Sequence, residues 1–126
     1  MPNIILVMIG GALGAAMRYE AGRIALARLG ADFPWGILLV NLAGGLFIGL
    51  LAGSLGGKAG ESDPLWLLLG IGVLGGFTTF SAFSLDLFAM LEGGRVGSAL
   101  AYAASSVFGA LLLLAAGFRL ARSLAS

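Results

Sequence analysis

Four apolar runs joined by short polar links take up nearly all of this 126-residue chain, and they leave little choice of fold. Ile4 to Met17, with an amphipathic continuation to residue 29, is the first. Phe33 to Leu55, Leu65 to Leu91 and Gly97 to Phe118 follow. A hydrocarbon layer of about 30 Å needs roughly 20 helical residues, so the second and fourth runs fit as transmembrane helices. The third would measure about 40 Å if unbroken, which suits a break or a strong tilt. The first is uncharged only as far as Met17, so Arg18 is expected inside or at the edge of the membrane. Its apolar core also has the length of a signal-peptide core. However, Met1-Pro2-Asn3 carries no positive side chain and no Ala-x-Ala site follows. Hydrophobic residues make up 60% of the chain and charged residues 10%, against about 25% charged in soluble domains. The expectation is an all-α membrane protein, a single transmembrane domain over residues 1–126.

The third run holds the least helix-like stretch, Gly75-Gly76-Phe77-Thr78-Thr79-Phe80-Ser81-Ala82-Phe83. Glycine costs about 1 kcal/mol against alanine inside a helix, and β-branched threonine adds a smaller penalty. A break near residues 75–79 is expected, at mid-membrane depth. Irregular backbone survives there only where protein or a watery cavity satisfies its freed polar groups, and such breaks build ion or substrate sites.

Composition excludes several classes of function. The chain has no cysteine and no histidine, which removes disulfides, thiolate catalysis, zinc sites and histidine proton relays. A net charge of +1 is too small for nucleic-acid binding. Gly70-Ile71-Gly72-Val73-Leu74-Gly75 matches a dinucleotide fingerprint in letters, but no strand precedes it and it lies within a span. Gly45, Gly49 and Gly53 recur every fourth residue, as do Gly10 and Gly14; these read as close helix–helix surfaces suited to a compact dimer.

Four spans put Lys58, Arg119 and Arg122 on one side and Arg18, Arg23, Arg28 and Arg95 on the other. Three against four gives the positive-inside rule almost nothing to act on. Such a chain inserts either in both orientations, allowing an antiparallel dimer, or in one weakly biased orientation. The links carry turn residues: Gly30-Ala31-Asp32, the polar loop from Gly56-Gly57-Lys58 to Asp63-Pro64, and Glu92-Gly93-Gly94-Arg95.

Read on spacing alone, the polar residues of the spans have two uses each. Asn41 is a mid-span amide, either interhelical glue or a donor into a pore. Phe80 and Phe83 share a helical face; on spacing alone core packing explains that better than a lined path does. Thr78, Thr79, Ser81, Tyr102, Ser105 and Ser106 supply hydroxyls, with Tyr102 and Ser106 on one face. Arg18 is a site candidate by its depth, and Arg23 and Arg28 read as a solvated interfacial face.

Three ordered motifs, however, resemble one family. Gly10-Gly11-Ala12-Leu13-Gly14-Ala15-Ala16-Met17-Arg18-Tyr19 is similar to the N-terminal signature of the Fluc/CrcB fluoride channels. Trp35 to Gly44, which contains Asn41, is similar to their second-helix motif, and Gly72 to Phe83 to their third. The resemblance implies a passive fluoride-selective channel of a prokaryotic cell (inner) membrane, which exports fluoride and lowers its cytoplasmic concentration. It implies a dual-topology antiparallel homodimer in the lipid bilayer, with two pores and a central Na⁺ held by backbone carbonyls, assigned here to Gly75 and Thr78. The paired pore phenylalanines map onto Phe80 and Phe83, and the polar track onto Ser81, Tyr102 and Ser106, with Asn41 and Thr79 beside them. Ile37, Ala82 and Ala110 stand where many relatives carry hydroxyls, so the track is thinner here.

Fluoride is small and strongly hydrated, so a selective pore needs several weak donor sites in sequence. Aromatic ring edges are electropositive and suit an anion path. At a pore mouth Arg18 would concentrate anions. Asp86 is expected to pair with an arginine, since a free carboxylate would repel the ion. The alternatives are a small four-span coupled exporter (a proton antiporter) or a non-transporting scaffold. The exporter class depends on a carboxylate in the first span, and Ile4 to Met17 has none.

Overall fold

All four apolar runs are helical. The structure, a computed structural model, describes residues 1–56, 60 and 62–125. Helix α1 spans Asn3–Leu29 and α2 spans Trp35–Leu55; α3 begins as a π-helical stretch, Trp66–Leu74, and passes into one α-turn, Gly75–Phe77. Two residues later α4 covers Phe80–Glu92, and α5 covers Val96–Ala125. Among the described residues there is no strand, and 4 stretches are long and apolar enough to cross a membrane: Asn3–Leu29, Trp35–Leu55, Trp66–Glu92 and Val96–Ala125. Lys58, counted above with the middle loop, and its neighbour Gly57 lie outside the described residues.

The outward faces are apolar. Ile4, Leu13, Leu39, Phe47, Leu85, Phe108, Leu111 and Leu112 are all exposed, an arrangement that water would punish and hydrocarbon tolerates. Each helix closes its own backbone hydrogen bonds, the condition for crossing lipid. With lipid as apolar as the core, close van der Waals contact must hold the helices together, and glycine supplies it.

Helices α2 and α5 form the most extensive pair in the bundle. Along α2 the glycines expected as a contact face do pack, but against this chain's own α5. A Cβ on Gly45 would meet the carbonyl of Ala110 at 2.8 Å, one on Gly49 would strike the carbonyl of Leu114, and one on Gly53 that of Phe118. From the other side Gly117 sits 2.6 Å, measured from an added Cβ, from the carbonyl of Leu46. The second glycine face, on α1, packs on α3: a Cβ on Gly10 would hit the Leu68 carbonyl and one on Gly14 the Val73 carbonyl. The glycine faces are therefore filled within one chain rather than left for a second copy.

Two further details fix the ends. Arg95 donates from Nη1 to the carbonyl of Asp32 at 2.7 Å, tying the α1–α2 link to the α4–α5 link. At the opposite end Gly56 takes φ 60°, and its N–H caps α2 by donating to Ala52. The Arg122 guanidinium lies so close that a Cβ on Gly56 would come within 2.6 Å of Nη1. A cation there complements the negative end of the α2 dipole.

The α2–α5 contact yields a direct check. Gly49→Ala puts a methyl into a backbone carbonyl that cannot step aside, and overpacking of this kind costs about 1–3 kcal/mol. Gly22→Ala, whose Cβ would meet nothing within 4 Å, is the control and is expected to be neutral or slightly stabilising. Thermal unfolding in detergent reads both; equal midpoints for the two variants would contradict the packing described.

Candidate functional site: the cleft at Thr78 and Thr79

Between α3 and α4 the chain leaves the helical region for two residues. Thr78 has φ −83°, ψ 156° and Thr79 has φ −151°, ψ 124°. The glycines expected to cause irregularity, Gly75 and Gly76, remain in the α-turn; the extended residues are the β-branched ones. Extension frees backbone groups that a continuous helix would have paired. Thr78 returns both its N–H and its hydroxyl to the carbonyl of Leu74, at 3.0 and 2.8 Å. Thr79 caps α4, its hydroxyl accepting from the N–H of Ala82 at 3.1 Å, with the Ser81 hydroxyl 3.2 Å away.

Two neighbouring helices complete the pairing. Asn41 of α2 donates from Nδ2 to the carbonyl of Thr79 at 3.1 Å, and its Oδ1 accepts from the Thr79 N–H at 2.9 Å. Arg18 of α1 donates from Nε to the carbonyl of Gly76 at 3.2 Å. The carbonyls of Gly75 and Thr78 accept no hydrogen bond from any donor among the described residues. Both residues line one cleft, and carbonyl oxygens are the kind of donor that a hard cation takes.

That cleft has a volume of about 410 Å³ and gathers Asn41, Gly75, Thr78, Thr79, Phe80, Phe83 and Ser106. The two phenylalanines touch, with ring centroids 5.7 Å apart, yet differ sharply in exposure: Phe83 is 6% exposed and Phe80 is 78% exposed. Phe80 thus stands out from the chain on the apolar surface. Ser106 is buried, and its hydroxyl has no hydrogen-bond partner among the described residues. A buried hydroxyl left unpaired costs about 1–3 kcal/mol, a cost that a packing residue would not carry. Ser105 instead returns its hydroxyl to the carbonyl of Ala101 on its own helix and faces outward.

Three of the expected residues stand apart from the cleft lining. Ser81 is exposed at the start of α4, and Arg18 reaches α3 from its other flank. Tyr102 is fully buried behind Phe83, their rings 5.0 Å apart, and donates its hydroxyl to Oδ2 of Asp86 at 3.1 Å. Asp86 is therefore paired with a phenol and not with an arginine. The ion pair present among the described residues joins Arg23 and Glu20 at 2.9 Å on the exposed face of α1. Asp86 also faces a second cavity of about 390 Å³, shared with Ile37 and Arg95 at the end of the bundle where the α1–α2 link lies. The Asp86–Tyr102 pair had a sequence signal. The two residues stand equally far before and after Gly94, so an α4–α5 hairpin brings them level. Ile37 packs against the buried cluster of Leu38, Phe83 and Tyr102, and Ala110 lines the cleft without a polar group.

Four apolar crossings, with a cleft opened by extended residues within the third, define a small multi-pass membrane protein. Residues 5–118 match the family described as CrcB-like protein, Camphor Resistance (CrcB), and the chain belongs to that family. It is 49% identical over 124 residues to a protein of Chelativorans sp. (strain BNC1) named fluoride-specific ion channel FluC, covering 98% of this chain and 99% of that one. Proteins of the same name from Rhizobium meliloti (strain 1021) and from Thermus thermophilus are 48% and 46% identical, each over 98% of this chain.

Tyr102→Phe keeps the ring stack and removes the donor to Asp86, and is expected to cost about 1 kcal/mol. Asp86→Ala in the Tyr102→Phe background should cost less than it does alone, because the partner is already gone. Unfolding of the four proteins of this cycle measures the coupling, and strict additivity would refute the pair.

Proposed function

We propose that this chain is a passive, fluoride-selective ion channel that lets fluoride leave the cell and so lowers its cytoplasmic concentration. The observation that carries the reading is likeness over nearly the whole chain to proteins named fluoride-specific ion channel. The cleft chemistry supports it. Replacing the hydration of a small anion needs donors and positive potential without a fixed trap. The unpaired Ser106 hydroxyl is one such donor. The edges of Phe80 and Phe83 carry positive potential without a full charge. One amide hydrogen of Asn41 remains after its bond to Thr79, and the Thr79 hydroxyl lies in the same lining, whereas the Ser81 and Tyr102 hydroxyls, also expected on the track, stand outside the cleft, that of Tyr102 engaged with Asp86.

The working unit in this reading is an antiparallel homodimer of oppositely inserted copies in the inner membrane, its third crossings broken at mid-depth. Balanced flanking charge supports mixed insertion, and an outward phenylalanine on each copy would reach across to the other. The carbonyls of Gly75 and Thr78 from both copies would then hold a structural Na⁺, which supplies positive charge to four converging dipoles.

Purified protein in liposomes should release fluoride and retain chloride. Phe80→Ile and Phe83→Ile keep apolar bulk and remove the ring edges, so fluoride flux should fall while dimer stability holds. Packing roles alone predict flux that tracks stability. Flux equal to the parent in both well-folded variants would remove the phenylalanines from the path, and absence of fluoride release by the parent would end the reading.

Assembly has its own check. Reporters fused to the C-terminus should register on both sides of the membrane, and lysines added at one end should bias insertion and lower activity until an oppositely biased copy is supplied. Exhaustive sodium removal should weaken the dimer or stop conduction. A single orientation at full activity, or a dimer indifferent to sodium, would count against the respective part.

A further inference from the structure

We infer that Arg18 and Asn41 are positioning residues that brace the extended pair Thr78–Thr79 from opposite sides, so that the cleft keeps its shape. The bond geometry of Asn41 carries this. Its amide offers one donor and one acceptor side by side, and both go to the same residue, Thr79, at 3.1 and 2.9 Å. In a helix the N–H and C=O of one residue point in opposite directions along the axis, and no single amide can meet both. In an extended residue they point to the same side, as in the doubly bonded pairs of an antiparallel ladder. Asn41 therefore stands in for a neighbouring strand one residue long. It bonds only an extended Thr79 in this way, and so selects that conformation.

Arg18 acts on the other side of the break. In an unbroken helix the carbonyl of Gly76 would accept from the N–H of Phe80, a bond that extension at Thr78 and Thr79 removes. The Nε of Arg18 takes that place at 3.2 Å, and its charge complements the negative end of α3. It can reach because α1 and α3 touch backbone to backbone: a Cβ on Gly76 would come within 2.6 Å of the Gly11 carbonyl. A guanidinium anchored in this way is a part of the scaffold, and its role differs from the mobile charge at a pore mouth that depth alone would assign it. Where the test uses flux, it rests on the fluoride reading above; the spectroscopic arm stands without it.

Proton-detected NMR of the protein in bilayers tests the Asn41 side. In the parent, the Thr79 amide proton should lie downfield of that of Phe80, which heads α4 without a helical acceptor. In Asn41→Ala it should move upfield while the α5 resonances stay in place, and in Asn41→Asp, which keeps an acceptor oxygen, it should remain downfield. A Thr79 proton that is not downfield in the parent, or that does not move in Asn41→Ala, overturns the brace. These readouts do not depend on which ion passes, so they separate failure of the brace from failure of the channel reading. For Arg18, liposome flux of Arg18→Lys at low and high ionic strength decides. Lysine keeps the charge and lacks the Nε position, so a brace predicts a fall of about tenfold at both, from one lost charged hydrogen bond. Parent-level flux at both, or a loss confined to low salt as screening of a steering charge would give, overturns the Arg18 half.

Discussion

Everything polar in this bundle follows from one constraint, that backbone groups freed inside hydrocarbon must find partners within the protein. Extending two residues between α3 and α4 breaks the regular ladder at the ends of both helices. The chain answers with short-range devices first: the Leu74 carbonyl accepts twice from Thr78, and the Thr79 hydroxyl caps α4. Long-range partners follow, Asn41 from α2 and Arg18 from α1. The carbonyls of Gly75 and Thr78 and the hydroxyl of Ser106 stay unpaired among the described residues.

Glycine makes those long-range partners possible. Side chains as short as asparagine span two helices only when the backbones nearly touch, and α2 meets the break through Gly44, where an added Cβ would strike the Thr78 side chain. The same holds for α1 on α3 through Gly10, Gly14 and Gly76. A larger residue at these positions would push the helices apart by more than the hydrogen bonds at Thr79 could follow, since such bonds weaken steeply beyond about 3.2 Å. Packing and polar pairing are thus coupled, although the glycines and the polar groups occupy different turns.

How much of this was legible in the sequence depends on the range of the interaction. The four crossings are a matter of apolar run length and were readable directly from Phe33 to Leu55 and Gly97 to Phe118. The glycine faces were readable as contact surfaces, but their partner was not: a four-residue repeat says that something approaches closely and is silent on which helix does. The π-helical winding of Trp66–Leu74 left no mark in composition, because an i to i+5 pattern uses the same apolar residues as an i to i+4 pattern. Depth alone cast Arg18 as a mouth charge and left Asn41 as a donor or glue. Their partners, the backbones of Gly76 and Thr79, carry no sequence identity to read. Asp86 was expected to pair with an arginine because a free carboxylate would repel an anion; the hairpin through Gly94 instead set Tyr102 beside it.

That last pairing bears on how a carboxylate can stand near the proposed anion path at all. A bare charge at 4 Å acts with about 4 kcal/mol at an effective dielectric of 20, enough to exclude an anion. A phenol hydrogen bond draws part of that charge toward the Tyr102 oxygen and fixes the carboxylate at the wall of the second cavity, away from the cleft that holds Phe80 and Ser106. Tyr102 in turn is fully buried and stacked on Phe83, so its hydroxyl is held toward Asp86 by packing on the far side of the ring. The aromatic column of Phe80, Phe83 and Tyr102 therefore separates two electrostatic environments, one lined by ring edges and an unpaired hydroxyl, the other by a paired carboxylate and Arg95.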